Sequence, residues 1–173
     1  MIGAGPPVLA LHGFDSSHLE YRRLAPLLAG GHQLFIPDLF GFGFCPRPLE
    51  ASYGPEAVLD HLERVLAEVL QRSGAAQVGL IGASMGGSVA VELARRCPEQ
   101  IERLLLLAPA GLTGKPMPVP APLNQLGARF LGLPAIRRGL CRSAFAMPNA
   151  SHGGGLVDVG QMPTTLQLGD AFS

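Results

Sequence analysis

Short apolar runs alternate along this chain with longer stretches whose apolar residues recur every three or four positions. Val8-Leu9-Ala10-Leu11 reads as a buried strand, with Pro7 making its start abrupt. Ser17 and Glu20 stand at capping-box spacing, which predicts a helix from about His18 carrying Leu19, Leu24, Leu27 and Leu28 and ended by Gly30-Gly31. Residues 33–39 read as a second strand, closed by Pro37. Gly54-Pro55 opens the clearest helix, with Val58, Leu62, Val65, Leu66 and Val69 on one stripe and Gly74 at its end. Asp60, Glu63, Arg64 and Glu68 fall mostly on the other side and read as a solvated face. A third strand, a helix ended by Pro98 and a fourth strand over 101–108 follow. Strand and helix in strict alternation imply a parallel sheet with right-handed crossovers, an α/β fold.

The stretch from Gln77 to Ala90 carries the strongest chemical signal. Val78 to Ile81 suits a buried strand, Ser88 to Arg96 suits a helix, and Gly82-x-Ser84-x-Gly86 lies between them. In a strand-turn-helix of this pattern the serine sits at the tip of a strained bend. Strand and helix pass so close behind it that glycine is needed on both flanks. Gly86 and Gly87 each cost roughly 1 kcal/mol relative to Ala in a helix's first turn, so their presence there points to a need for space. Ser84 would then meet the positive end of the helix, with the Met85 amide facing a developing oxyanion. The same residues would also suit a plain glycine-rich turn that lets strand and helix pack; the strand before and the helix after favour the nucleophile reading. A phosphate-binding loop fits worse, because no lysine follows the glycines.

Composition narrows the classes. At 173 residues the chain can bury one core, and at 47% apolar and 15% charged it reads as globular. Zero formal net charge argues against a general affinity for nucleic acid or an anionic membrane. Cys45, Cys97 and Cys141 have neither metal nor redox spacing, and their odd count favours free thiols in a reducing compartment. The N-terminus lacks the basic residues of a secretory signal, and no apolar run approaches the ~20 residues that span a bilayer. A soluble, cytoplasmic protein with no transmembrane segment is the expectation. The organisation expected is a core over 1–112, a cap-like helical segment over 113–148 and an irregular or disordered tail over 149–173. The cap-like segment opens with Pro116, Pro118, Pro120 and Pro122 and has apolar patches at 123–131 and 135–145; an ordinary peripheral helix pair is the plainer alternative.

With Ser84 placed, three motifs fall in order. His12-Gly13-Phe14 follows the first strand, Asp38-Leu39-Phe40-Gly41-Phe42-Gly43 the second, and Gly82-Ala83-Ser84-Met85-Gly86-Gly87 the third. Together, over residues 7 to 112, they resemble the α/β-hydrolase superfamily. More narrowly, Leu11 to Glu20 resembles the branch that includes chlorophyll dephytylases, which cleave a long-chain ester. The resemblance implies that Ser84 is the nucleophile and that the backbone N–H groups of Phe14 and Met85 form the oxyanion hole. It implies that His12 and Gly13 shape that loop without His12 being the base, and that Asp38 ties down its own loop without being the triad acid. The Phe14 side chain would line the substrate pocket or simply pack, and His18, His32 and His61 would be surface or helix-side histidines. The implied function is a serine hydrolase cleaving a carboxylic ester with an apolar acyl or alcohol group, using no metal and no organic cofactor, with a small-molecule ester as its partner. Acyl transfer or cofactor-free peroxidase work on the same site are alternatives; a dehalogenase of this fold would carry aspartate at position 84.

The proton shuttle is harder to place. Serine needs a histidine to take its proton and a carboxylate to orient that histidine, in the chain order Ser, acid, His. After Ser84 the sequence offers His152, followed by Asp158 and Asp170, with no acid between Pro109 and His152. That order fails, and His152 reads better as a tail histidine. The expectation is therefore the N-terminal part of such a hydrolase, with its C-terminal side lost or replaced. A catalytically impaired form or a non-catalytic binding module is the competing reading. The 101–108 strand would then present an apolar open edge, through which copies of the chain could self-associate.

Overall fold

The computed structural model describes residues 1–111. They belong to the first of two compact units, Met1–Pro116 and Met117–Ser173. The expected cap-like segment and tail, with His152, Asp158 and Asp170, lie outside the described residues.

The described elements alternate as expected: β1 (Pro7–Leu11), a 3₁₀ helix (His18–Arg22), α1 (Ala25–Leu28), β2 (Gln33–Phe35), α2 (Pro55–Ser73), β3 (Val78–Ala83), α3 (Met85–Arg96), a 3₁₀ turn (Pro98–Gln100) and β4 (Ile101–Leu107). The four strands form one parallel sheet in the order β2-β1-β3-β4. The first crossover moves one way along the sheet and the next two move back. Right-handed crossovers therefore put α1 on one face and α2 and α3 on the other. All five residues of β1 are buried, as a central strand covered on both faces requires. Val8 and Ala10 pack with Tyr21, Ala25, Leu34 and Ile81 on one side. Leu9 and Leu11, fully buried, alternate to the other.

Several local expectations change. The helix expected from His18 is split into a 3₁₀ helix and the short α1, which has Pro26 in its first turn. Tyr21 and Ala25 are buried in the core, Leu24 and Leu28 pack against it partly buried, and Leu27 is 79% exposed. The break changes the helical phase, which turns Leu27 alone of the expected leucines out to solvent. β2 stops at Phe35, short of the expected 39, since Pro37 has no N–H to extend the ladder. The α2 stripe is confirmed, with Leu62 and Leu66 fully buried and Gly74 closing the helix at φ 68°. Its charged side is more than a solvated face. Arg96 of α3 reaches Glu63 at 3.2 Å, Asp60 at 3.7 Å and Glu56 at 2.5 Å, and so ties α3 to α2.

Register decides where chemistry can gather. Leu11 pairs with Gly82, and Ala83 with Leu107. The loops after β1, β3 and β4 therefore leave the sheet side by side.

Candidate active site

Ser84 stands at the junction of β3 and α3 with φ 49° and ψ −119°. That is outside every basin comfortable for a side chain, and such a residue costs on the order of 1–3 kcal/mol. Hydrogen bonds hold the bend. The Ser84 amide donates to the Leu107 carbonyl at 3.0 Å, and the Ser84 carbonyl accepts from Gly87 and Ala110, each at 2.9 Å. Ser84 is exposed, and its side chain does not cap α3. Met85 is the first residue of α3, so its amide has no acceptor within the helix.

The glycines behave as the pattern requires. A Cβ on Gly82 would lie 2.7 Å from Gly87 Cα, and one on Gly86 would lie 2.8 Å from the Leu11 carbonyl carbon. Real Cβ atoms do not approach backbone so closely, so these positions let α3 cross directly behind β1 and β3.

The loop after β1 comes to the same place. A Cβ built on Gly13 would sit 3.3 Å from the Ser84 Cβ, so the His12–Phe14 turn lies against the serine. His12 is fully buried. Its Nε2 accepts from the Leu39 amide at 2.9 Å, which leaves Nδ1 protonated to donate to the Gly13 carbonyl at 2.8 Å. Both nitrogens are thus committed, and burial pushes the ring's pKa below its ordinary value. Phe14 is 54% exposed, and its ring meets Phe42 edge-on at 5.5 Å.

Asp38 fastens the second motif. Burial alone would raise its pKa. Hydrogen bonds from the His18 amide at 2.6 Å, the Phe44 amide at 2.8 Å and the His18 ring at 2.9 Å outweigh that and hold the carboxyl below its usual value. Gly43, at φ 56°, leaves the room this carboxylate needs. His18 is therefore no idle surface histidine, because it closes the Asp38 loop onto the first 3₁₀ helix. His61 is half-buried against Phe40, and His32 is exposed.

Glu20 departs from its expected role. Ser17 does cap the 3₁₀ helix through the Leu19 amide, but the Glu20 carboxylate accepts the Gly13 amide at 2.9 Å. Sequence spacing alone could not separate a capping-box glutamate from one turned toward the next loop. Among the described residues no three His, Cys, Asp or Glu side chains gather as a metal site. An apolar groove of about 510 Å³ runs past Val8, Leu24, Leu28, Leu80 and Leu104. Its lining in the sheet comes from the first and middle residues of β1, β3 and β4 and does not include Ser84 at the C-terminal end of β3. Among the described residues no helix is long and apolar enough to cross a membrane.

A strained, exposed serine on a strand-to-helix bend, above a parallel sheet and beside a His-Gly loop, defines a class, and comparison with known proteins agrees. The family described as the alpha/beta hydrolase fold matches residues 6–156, and the chain belongs to it. It is similar to the 2-hydroxymuconate semialdehyde hydrolase of Pseudomonas sp. (strain CF600), with 36% identity over 114 residues, which cover 64% of this chain and 39% of that one. It is similar to Lipase 1 of Psychrobacter immobilis, with 38% identity over 116 residues, which cover 66% of this chain and 35% of that one. Among solved structures it resembles a meta-cleavage product hydrolase from Pseudomonas fluorescens IP01 complexed with acetates. The TM-score there is 0.65 at 26% identity, covering 81% of this chain and 50% of that one. The chain thus spans well under half the length of these two curated relatives.

Proposed function

We propose that this chain is a serine hydrolase acting on a carboxylic ester with an apolar acyl or alcohol group. The observation that carries the reading is the conformation of Ser84, strained, exposed and set at the start of α3 against the Gly13 turn. In the proposed reaction the Ser84 hydroxyl attacks the ester carbonyl carbon and gives up its proton to a base. The carbonyl oxygen becomes an oxyanion facing the N–H groups of Met85 and Phe14. Collapse of this intermediate expels the alcohol and leaves an acyl-serine, which water then cleaves to the acid. The exposed Phe14 ring beside Phe42 supports an apolar substrate, as does the likeness to a protein named a lipase.

His12 is not available as the base, because taking a proton on Nε2 would break its bond from the Leu39 amide. We place the base outside residues 1–111. With His12 committed in this way, a second reading is a family member whose activity is impaired. The two readings separate on labelling by a fluorophosphonate, which needs an activated serine. Labelling of the 173-residue chain that disappears in Ser84→Ala is the expected result. A chain that stays unlabelled, or labels equally after the substitution, supports the impaired form.

A further inference from the structure

The Gly13-Phe14 peptide is gripped at one end, and the peptide before it is gripped by a carboxylate. His12 Nδ1 holds the Gly13 carbonyl at 2.8 Å, and Glu20 Oε2 holds the Gly13 amide at 2.9 Å. In a trans peptide the carbonyl and the following N–H point in opposite directions. Fixing the Gly13 carbonyl on the His12 ring therefore turns the Phe14 N–H away from that ring. Glycine has wide backbone freedom, so one hydrogen bond does not settle how the next plane is set; a second one, on the Gly13 amide, does. We propose that Glu20 is a positioning residue, whose hydrogen bond to the Gly13 amide fixes the turn that aims the Phe14 N–H beside Ser84.

Glu20 is well placed to act as a fixed point. Its 3₁₀ helix is capped by Ser17, and the next residue, Tyr21, is buried with its hydroxyl donating to the Leu11 carbonyl at 2.8 Å. The helix is thus pinned to the end of β1, the strand that leads into the turn. A Cβ on Gly13 would be 3.5 Å from Glu20 Oε2 and 3.3 Å from Ser84 Cβ, so the carboxylate stands one residue's width from the nucleophile. Electrostatics make the arrangement informative. A negative charge there opposes an oxyanion, so charge is not what the site gains from Glu20. The gain is a strong acceptor that keeps a partly buried amide satisfied in one geometry.

The inference rests on the hydrolase reading for its consequence and on the loop geometry for its substance, and two measurements keep these apart. The first is the rate of fluorophosphonate labelling of Ser84 in the full chain. Glu20→Ala is expected to lower it about 10- to 100-fold, somewhat less than outright loss of an oxyanion donor. Glu20→Asp, which keeps the charge but is one methylene short, is expected to behave like Glu20→Ala. Glu20→Gln, which keeps length and an acceptor oxygen, is expected to stay within about threefold of the parent. The second measurement is amide hydrogen exchange at Gly13, expected to speed up in the Ala and Asp variants and to be preserved in Gln. Unchanged exchange in both Ala and Asp overturns the proposal, as does equal labelling of the parent and both variants. If the parent itself is unlabelled, the hydrolase reading fails, while exchange still decides the role of Glu20. Should Glu20→Ala not fold, the Asp and Gln pair carries both measurements.

Discussion

At the scale of single residues, His12 shows how burial turns an ionisable group into a neutral fitting. Its two nitrogens serve one donor and one acceptor, so the ring must carry a single proton when folded. Burial holds its folded pKa below 6.5, its ordinary value in an unfolded chain. As pH falls through 6.5, unfolded molecules take up a proton there that folded ones do not. Stability therefore drops with pH in that window and levels off once pH is below the folded pKa. Urea unfolding from about pH 7.5 to about pH 5 should show this slope, and His12→Asn should flatten it. Parallel profiles for the two proteins would mean that His12 is not held neutral. The residue types needed were plain in the sequence, since His12-Gly13-Phe14 stood where a loop had to be. Their hydrogen-bond partners, Leu39 and Glu20, were not, because they come from segments that meet only in the folded chain.

At the scale of elements, the β3-α3 unit is held by the absence of side chains. Gly86→Ala would push a Cβ against the Leu11 carbonyl, which belongs to the central strand and cannot yield. We expect a loss of about 3 kcal/mol or more in chemical denaturation. Gly31→Ala meets nothing within 4 Å and should stay within about 1 kcal/mol of the parent. Equal effects at the two positions would mean that close approach is not what Gly86 provides. The α2 helix was legible because its stripe, its Pro55 start and its Gly74 stop all agree. From His18 to Leu28 the phase shifts where the 3₁₀ helix gives way to α1, which puts Leu27 in water and Ala25 in the core, while Leu24 and Leu28 still pack against it.

At the scale of the whole molecule, the sheet has two unlike edges. On β2 the outer side is bridged by Ile2, which exchanges hydrogen bonds with Leu34 at 3.0 and 2.8 Å. Among the described residues β4 pairs with β3 alone, and Leu104, Leu105 and Leu107 are 39%, 52% and 38% exposed. An apolar strand edge is a template for another strand. We expect the 173-residue chain to self-associate through β4, with sedimentation showing larger species as concentration rises and Leu105→Arg shifting them toward the monomer. An unchanged distribution would rule out that edge as the contact. The sequence by itself determined the alternation of strand and helix, the parallel sheet and the elbow at Ser84, because each is written in local spacing: apolar period, capping residues and glycines at fixed offsets. Only the tertiary structure decided that Glu20 turns to Gly13, that His18 closes on Asp38 and that Arg96 clamps three carboxylates of α2. Those choices depend on which surfaces the packed sheet brings within hydrogen-bond reach, a distance that no spacing along the chain encodes.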